Sequence, residues 1–387
     1  MKKSLVALAT FSLVGTAFAD VDVSGGIKLY GLIDQAAMKQ SWVSSQSSPT
    51  TGNNTTQSGN YAASATSRLG IRGNRDLGDG LKGLIQVEIE LVPQNNSDQD
   101  TGYKTRGLMP PKNRGTFVGL ESKEAGSIRL GTQETTAYEL VAMDVNGRVE
   151  YKPQTWRYVT SASTQDRAGH SIKLTSPEIA GITASAMYAP KQINNSNDSL
   201  AELTPTFTSL GVKYHNGNLR FAYVNDSMKN PSAVVAASYR MPGEQYEGLT
   251  TITGGTKTTY ASGSIGTALK RNLIGASYDA GFANFAYIYA DSSVSGTGTA
   301  GGKLSTNTIG VSVPFDKFKV ALSMGNGSYS TTGGSIYGKV TDTTLGGYYS
   351  FDKSTSAYLL SSNATHTYTT NPAGSTKSTA LGVKFQF

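Results

Sequence analysis

Segments in which apolar and polar residues alternate one for one recur along the chain, joined by connections of two lengths that strictly take turns. The short connections are Asp76–Gly80, Ser122–Gly126, Ser176–Gly181, His215–Asn218, Asp279–Gly281, Pro314–Asp316 and Phe351–Ser354. Each is built from the Gly, Asp, Asn, Ser or Pro that tight turns require. The long connections cover about 35–65, 93–113, 134–167, 190–206, 226–267, 292–303, 325–341 and 366–376, and they are loaded with Ser, Thr, Asn and Gly. Seven short and eight long connections imply sixteen strands. A soluble sandwich has no reason to sort its connections by length in this way. A closed antiparallel barrel does, with short turns on one side and long loops on the other.

The faces of the strands say which solvent lies where. Successive strand residues point to opposite faces. Leu69 and Ile71 therefore share one face, and Arg68, Gly70 and Arg72 the other. Ile85, Val87, Ile89 and Leu91 lie opposite Gln86, Glu88 and Glu90, Ile128 and Leu130 opposite Arg129, and Val320, Leu322 and Met324 opposite Lys319 and Ser323. About sixteen strands enclose an aqueous channel rather than a packed core. The charged face then lines water and the aliphatic face meets lipid. The fold expected is an all-β transmembrane barrel of sixteen antiparallel strands, with a polar lumen.

Both ends of the chain fit this reading. Thr379, Leu381, Val383, Phe385 and Phe387 share the outward face of the closing strand, which ends on an aromatic. Residues 1–19 carry Lys2 and Lys3, an apolar run from Leu5 to Phe18 and the A-x-A site Ala17-Phe18-Ala19. That is the signature of a secretory signal peptide, and the run is shorter than the roughly 20 residues of a membrane anchor. Removal of 1–19 would leave residues 20–387 as a single barrel domain.

Composition narrows the function further. Mean hydropathy is −0.29 and charged residues make up 16%, as expected where alternating strands cross a membrane without any long apolar run. With no cysteine, disulfides, thiol chemistry and Cys-based zinc sites are excluded. The net charge of +7 contains no block of Lys/Arg of the kind nucleic-acid binding needs. No cofactor or metal is expected. Gly78-Asp-Gly-Leu-Lys-Gly83 spells a dinucleotide fingerprint, but a strand rather than a helix follows, so it reads as a hairpin turn. Catalysis finds little footing, with three histidines (His170, His215, His366) and no G-x-S-x-G. A channel and a closed-lumen adhesin are the readings left standing.

The chain resembles the Gram-negative general diffusion porins of the betaproteobacterial type. The resemblance rests on Asp22–Asp34, on Ser67-Arg-Leu-Gly-Ile-Arg-Gly73 followed by Asp76–Glu88, on Thr116–Leu120 with Gly126–Gly131, and on the terminal Phe387. It implies a homotrimeric channel for ions and small hydrophilic solutes, with outer-membrane lipid, lipopolysaccharide and the barrel assembly machinery as partners. Phe387 would be the mark that this machinery reads. It also implies that the third loop, residues 134–167, folds into the lumen. Glu134, Glu139 and Asp144 of that loop would then face Arg68, Arg72 and Arg129 on the wall, beside Glu88. Nine of the twelve arginines precede residue 168, so cationic side chains crowd this sector and favour weak anion selectivity.

Overall fold

A computed structural model describes residues 21–43, 56–64, 67–91, 113–147, 167–190, 206–229, 266–296, 302–331, 334–368 and 374–387. The expected signal peptide lies outside them. The strands are β1 (Val21–Ser24), β2 (Ile27–Val43), β3 (Thr56–Ser64), β4 (Arg68–Gly78), β5 (Leu81–Glu90), β6 (Asn113–Ser122), β7 (Gly126–Glu134), β8 (Arg167–Thr175) and β9 (Ile182–Ala189). They continue as β10 (Thr206–Asn216), β11 (Leu219–Lys229), β12 (Gly266–Asp279), β13 (Asn284–Gly296), β14 (Gly302–Phe315), β15 (Phe318–Thr331), β16 (Ile336–Ser350), β17 (Thr355–Tyr368) and β18 (Gly374–Gln386).

All pairings are antiparallel, and the ring closes where β18 meets β2. Eighteen segments make sixteen staves. β3 and β4 are two halves of one stave, because β2 pairs with β3 through Gln35–Val43 and with β4 through Ile27–Leu32. β1 pairs with the start of β2 below the point where the end of β18 pairs with it, so it prolongs that stave. The seven short turns fall where the sequence places them. In the decoy fingerprint, Gly78, Asp79 and Gly80 all take positive φ (90°, 50° and 73°), the geometry of a tight hairpin.

Several long connections are shorter than the sequence implies. β2 and β3 together occupy most of the stretch expected as the loop 35–65, and β15 and β16 leave only a four-residue gap in 325–341. The upper parts of these strands are rich in Ser, Thr, Asn and Gly. Beyond the hydrocarbon both faces can be polar, so hydropathic alternation fades while the backbone ladder continues. The ladder, not the side-chain pattern, defines a strand there.

The barrel is inside-out relative to a soluble one. Outward Val118, Leu130, Leu210, Ile309, Leu359 and Leu381 are exposed, whereas inward Ser209, Thr306, Thr344 and Ser378 are buried. Outward aromatics, among them Tyr278, Phe285, Phe318 and Phe385, collect near the short turns. Amphipathic rings favour that membrane interface.

Candidate functional site

The connection between β7 and β8 does not stay over its own wall. After Glu134 the chain forms the 3₁₀ segment Thr136–Met143 and a turn through Gly147. Leu140 (0% exposed) and Met143 pack with Ala222 and Val224 of β11, Leu273 of β12, and Ile288 and Ala290 of β13. Those wall residues point into the lumen, where apolar side chains would be costly if left to water. The crossing segment covers them. Gly275 and Gly310 leave the space that Met143 and Val145 fill, since a Cβ at either glycine would collide with them.

Polar contacts complete the anchorage. Asn146 Nδ2 donates to Ser323 Oγ (3.0 Å) on β15 and to the Thr344 carbonyl (3.3 Å) on β16. Tyr348 Oη donates to Asn146 Oδ1 at 3.0 Å, and Lys319 Nζ donates to the Val145 carbonyl at 3.3 Å. The described part of the third loop, Glu134 to Gly147, thus leaves the wall at β7 and lands on β11 to β16, on the far side of the lumen. It narrows the channel as expected.

The wall it leaves carries the charge. Register sets Gly70 opposite Glu88 and Arg68 opposite Glu90. Gly70 has no Cβ, so the Tyr30 ring lies over it and carries its hydroxyl to Glu88 Oε2 at 3.0 Å. Glu88 also meets Arg68 Nε at 3.5 Å and Arg114 Nε at 2.8 Å, while Arg114 Nη1 reaches Glu90 at 3.5 Å. The Arg72 guanidinium stacks over Tyr30 (5.0 Å) and that of Arg129 over Phe117 (5.1 Å). Arg167 Nη2 binds Glu134 Oε1 at 2.8 Å and lies over Tyr138, and Lys173 Nζ donates to the Glu134 carbonyl at 3.0 Å. Beneath the crossing segment, Arg129, Lys173 and Lys213 line a cavity of about 240 Å³ together with Thr136, Thr183 and Ser185.

The expected site residues fall in different settings. Arg68, Arg72 and Glu88 form one network on β4 and β5, and Arg129 sits apart, 3.9 Å from Glu121. Glu134 lies at the root of the crossing segment, committed to Arg167. Glu139 belongs to the 3₁₀ segment, but its side chain is outside the described residues. Asp144 is buried, with Oδ1 accepting the Asn146 amide at 3.0 Å, so it shapes the landing turn on the far wall. Phe387 pairs by its backbone with Gly31.

Arg114 escapes sequence reasoning although it is 1% exposed at the centre of the network. It follows directly on the stretch 93–113 that reads as loop. It is also the extra residue of a bulge, with Asn113 opposite Ile89 and Gly115 opposite Glu88. A bulge breaks the two-residue period and re-aims a side chain, so parity could not place it.

Known proteins give the same picture. The family model described as "Gram-negative porin" matches residues 4–374. Major outer membrane protein P.IB of Neisseria gonorrhoeae is 27% identical over 251 residues, which cover 61% of this chain and 64% of that protein. Outer membrane porin protein 32 of Delftia acidovorans is 30% identical over 229 residues, 57% of this chain and 58% of its own. The chain thus spans less than two thirds of the curated relatives it matches. Among solved structures, the anion-selective porin from Comamonas acidovorans superposes with a TM-score of 0.64 at 19% identity, covering 93% of this chain and 99% of that one. OmpT of Vibrio cholerae in its trimer form gives 0.60 at 12% identity, with 93% and 99% covered. A family match over nearly the whole chain, on a sixteen-stave barrel with an infolded third loop, makes this chain a member of the Gram-negative porin family, located in the outer membrane.

Proposed function

We propose that the chain forms a water-filled channel for passive diffusion of ions and small hydrophilic solutes, weakly selective for anions, and that it works as a homotrimer. One observation carries the selectivity. On the wall from β4 to β8, the described residues Arg68, Arg72, Arg114, Arg129, Arg167 and Lys173 stand among the carboxylates of Glu88, Glu90, Glu121 and Glu134. The surplus is positive, and Glu88 is held between two guanidiniums. Fixed charge beside a narrow wet passage biases which ions enter. With a Debye length of about 8 Å at physiological salt, charge elsewhere on the barrel has little influence there.

In this reading Arg68, Arg72, Arg129, Glu88, Glu134, Glu139 and Asp144 belong to the constriction. Export removes residues 1–19, and the assembly machinery recognises Phe387. The anion-selective porin from Comamonas acidovorans and the trimeric OmpT of Vibrio cholerae, which share this fold, support selectivity and assembly.

Single-channel recording under a salt gradient tests the proposal. Wild type should conduct with a reversal potential on the anion side. Arg68→Glu with Arg129→Glu should move it toward cations, and Glu139→Gln further toward anions. An open channel whose double variant keeps the wild-type potential would remove these arginines from the account. Absence of any conductance would favour the closed-lumen adhesin.

A further inference from the structure

The fixed charge of the lumen is sorted along its axis as well as across it. Arg129, Lys173, Lys213 and Arg220, on β7, β8, β10 and β11, each lie within four residues of the short-turn end of their strand. Lys319 on β15, Lys384 on β18 and Lys28 on β2 stand at the same end, with Arg72 opposite Lys28 in register. All of them face inward. Arg129, Lys173 and Lys213 line the cavity beneath the crossing segment, and Lys319 reaches the Val145 carbonyl. By strand parity Arg220 shares the face of Ala222 and Val224, and Lys28 that of Tyr30. Lys384 shares the face of Gly382, over which the Tyr358 ring lies.

Acids are fewer at this level among the described residues. Glu121 lies 3.9 Å from Arg129, Asp34 is opposite Lys384 in register, and Asp144 belongs to the landing turn. Asp76 and Asp279 accept the turn amides of Gly78 and Gly281, with Lys82 opposite Asp76. The surplus is therefore positive. The outer half of the lumen is close to neutral among the described residues. There Arg68, Arg114 and Arg167 meet Glu88, Glu90 and Glu134, and Arg271 Nε donates to Asp226 Oδ2 at 3.0 Å. Asp342 on β16 adds one more inward carboxylate.

We propose that this cationic belt is a second selectivity station at the periplasmic mouth, and that it makes the anion preference depend on direction. Lys28, Lys213, Arg220, Lys319 and Lys384 carry the positive surplus of the arginine wall on round the lumen, at the end whose short turns face the periplasm. The Debye length is about 10 Å at 0.1 M salt and about 3 Å at 1 M. A mouth bathed in dilute solution keeps its field across the lumen, whereas concentrated solution confines that field to the wall. The near-neutral outer half has no comparable field to lose. The anion preference should thus be strongest when the dilute solution lies on the periplasmic side.

The inference rests on the channel reading above, and one recording separates the two. A single channel would be held between about 1 M and about 0.1 M salt, first with one direction of the gradient and then with the other. Biotin on K353C, in a chain with no cysteine of its own, marks the short-turn chamber as the one from which streptavidin disturbs the current. Wild type should show the larger anion-side reversal potential with dilute salt in that chamber. K28Q/K213Q/R220Q, which leaves the arginine wall intact, should bring the two directions together, and K28R/K213R/R220K should restore the difference. K229Q/K339Q, on the outer face, should behave as wild type. Should the triple variant fail to fold, wild type alone decides. Equal potentials in the two directions through an open channel, or a difference that survives in the triple variant, would overturn the inference and leave the channel standing. Absence of any conductance would remove both.

Discussion

Phe387 and Gly31 close the barrel as a matched pair. The Gly31 amide donates to the Phe387 carbonyl at 2.7 Å, the Phe387 amide donates back to the Gly31 carbonyl at 3.1 Å, and the ring lies where a Cβ of residue 31 would be. Phe387 is thus the lowest rung of the β18–β2 seam. Tyr358 over Gly382 repeats the arrangement inside the lumen, with its hydroxyl donating to Asp34 at 2.6 Å.

Gly31→Val should therefore impair closure as much as deletion of Phe387, although residue 31 lies far from the C-terminus in sequence. Both variants should give less heat-modifiable folded barrel in cells and unchanged unit conductance in the barrels that form. If Gly31→Val folds at wild-type yield while the deletion does not, Phe387 acts purely as a recognition mark.

Arg114 should be the residue that the charged wall tolerates losing least. It is almost wholly buried against Glu88 and Glu90. Removing one partner of a buried pair costs about 3–5 kcal/mol where the other is left alone, and the cost here is smaller because Arg68 and Tyr30 stay with Glu88. Arg114→Met should lower the unfolding midpoint in urea sharply, while the double variant with Glu88→Gln should recover part of the loss. An additive double variant would show that the two side chains are not coupled.

The number of staves, the faces of the strands and the seven turns were legible because each rests on a local rule, two-residue alternation or turn chemistry. What stayed hidden depends on distance or on broken period. Arg114 lies at a bulge, the burial of Asp144 depends on a turn that lands on the far wall, and the upper halves of β2 and β16 carry no hydropathic signal. That the apolar inner face of β11 to β13 waits for Leu140 and Met143 could not be read at all. In sequence, an Ala222 or Leu273 facing inward looks like noise in the lumenal pattern.

The turn after β16 offers a pH test outside the membrane. Asp352 Oδ1 accepts from the Ser354 amide (2.6 Å), the Ser354 hydroxyl (2.8 Å) and the Thr355 amide (2.7 Å). The Ser354 hydrogen bonds, then that from Thr355, hold its carboxyl below the usual value. A lowered folded pKa gives stability that is complete above the unfolded value of about 3.9 and is lost as pH falls through the folded one. Asp352→Ala should therefore unfold more readily than wild type at pH 7, and the gap should close at the acid end. A gap that stays constant down to pH 2 would mean the carboxylate contributes nothing through its charge.

The crossing segment is held at two separable points, and loosening them should change the channel in different ways. Leu140→Ala removes a fully buried side chain from the cluster on β11 to β13, which costs about 2–5 kcal/mol in a packed core. Asn146→Ala removes the hydrogen bonds to Ser323, Thr344 and Tyr348. The apolar contact sets how far the segment stands from the wall, so Leu140→Ala should raise unit conductance and the size limit for sugars in liposome swelling. The hydrogen bonds fix the tip, so Asn146→Ala should mainly raise open-channel noise. Charge on the arginine wall is untouched in both, and selectivity should persist until the segment is free, as in the double variant. A double variant with wild-type conductance, noise and size limit would show that the landing on the far wall does not define the passage.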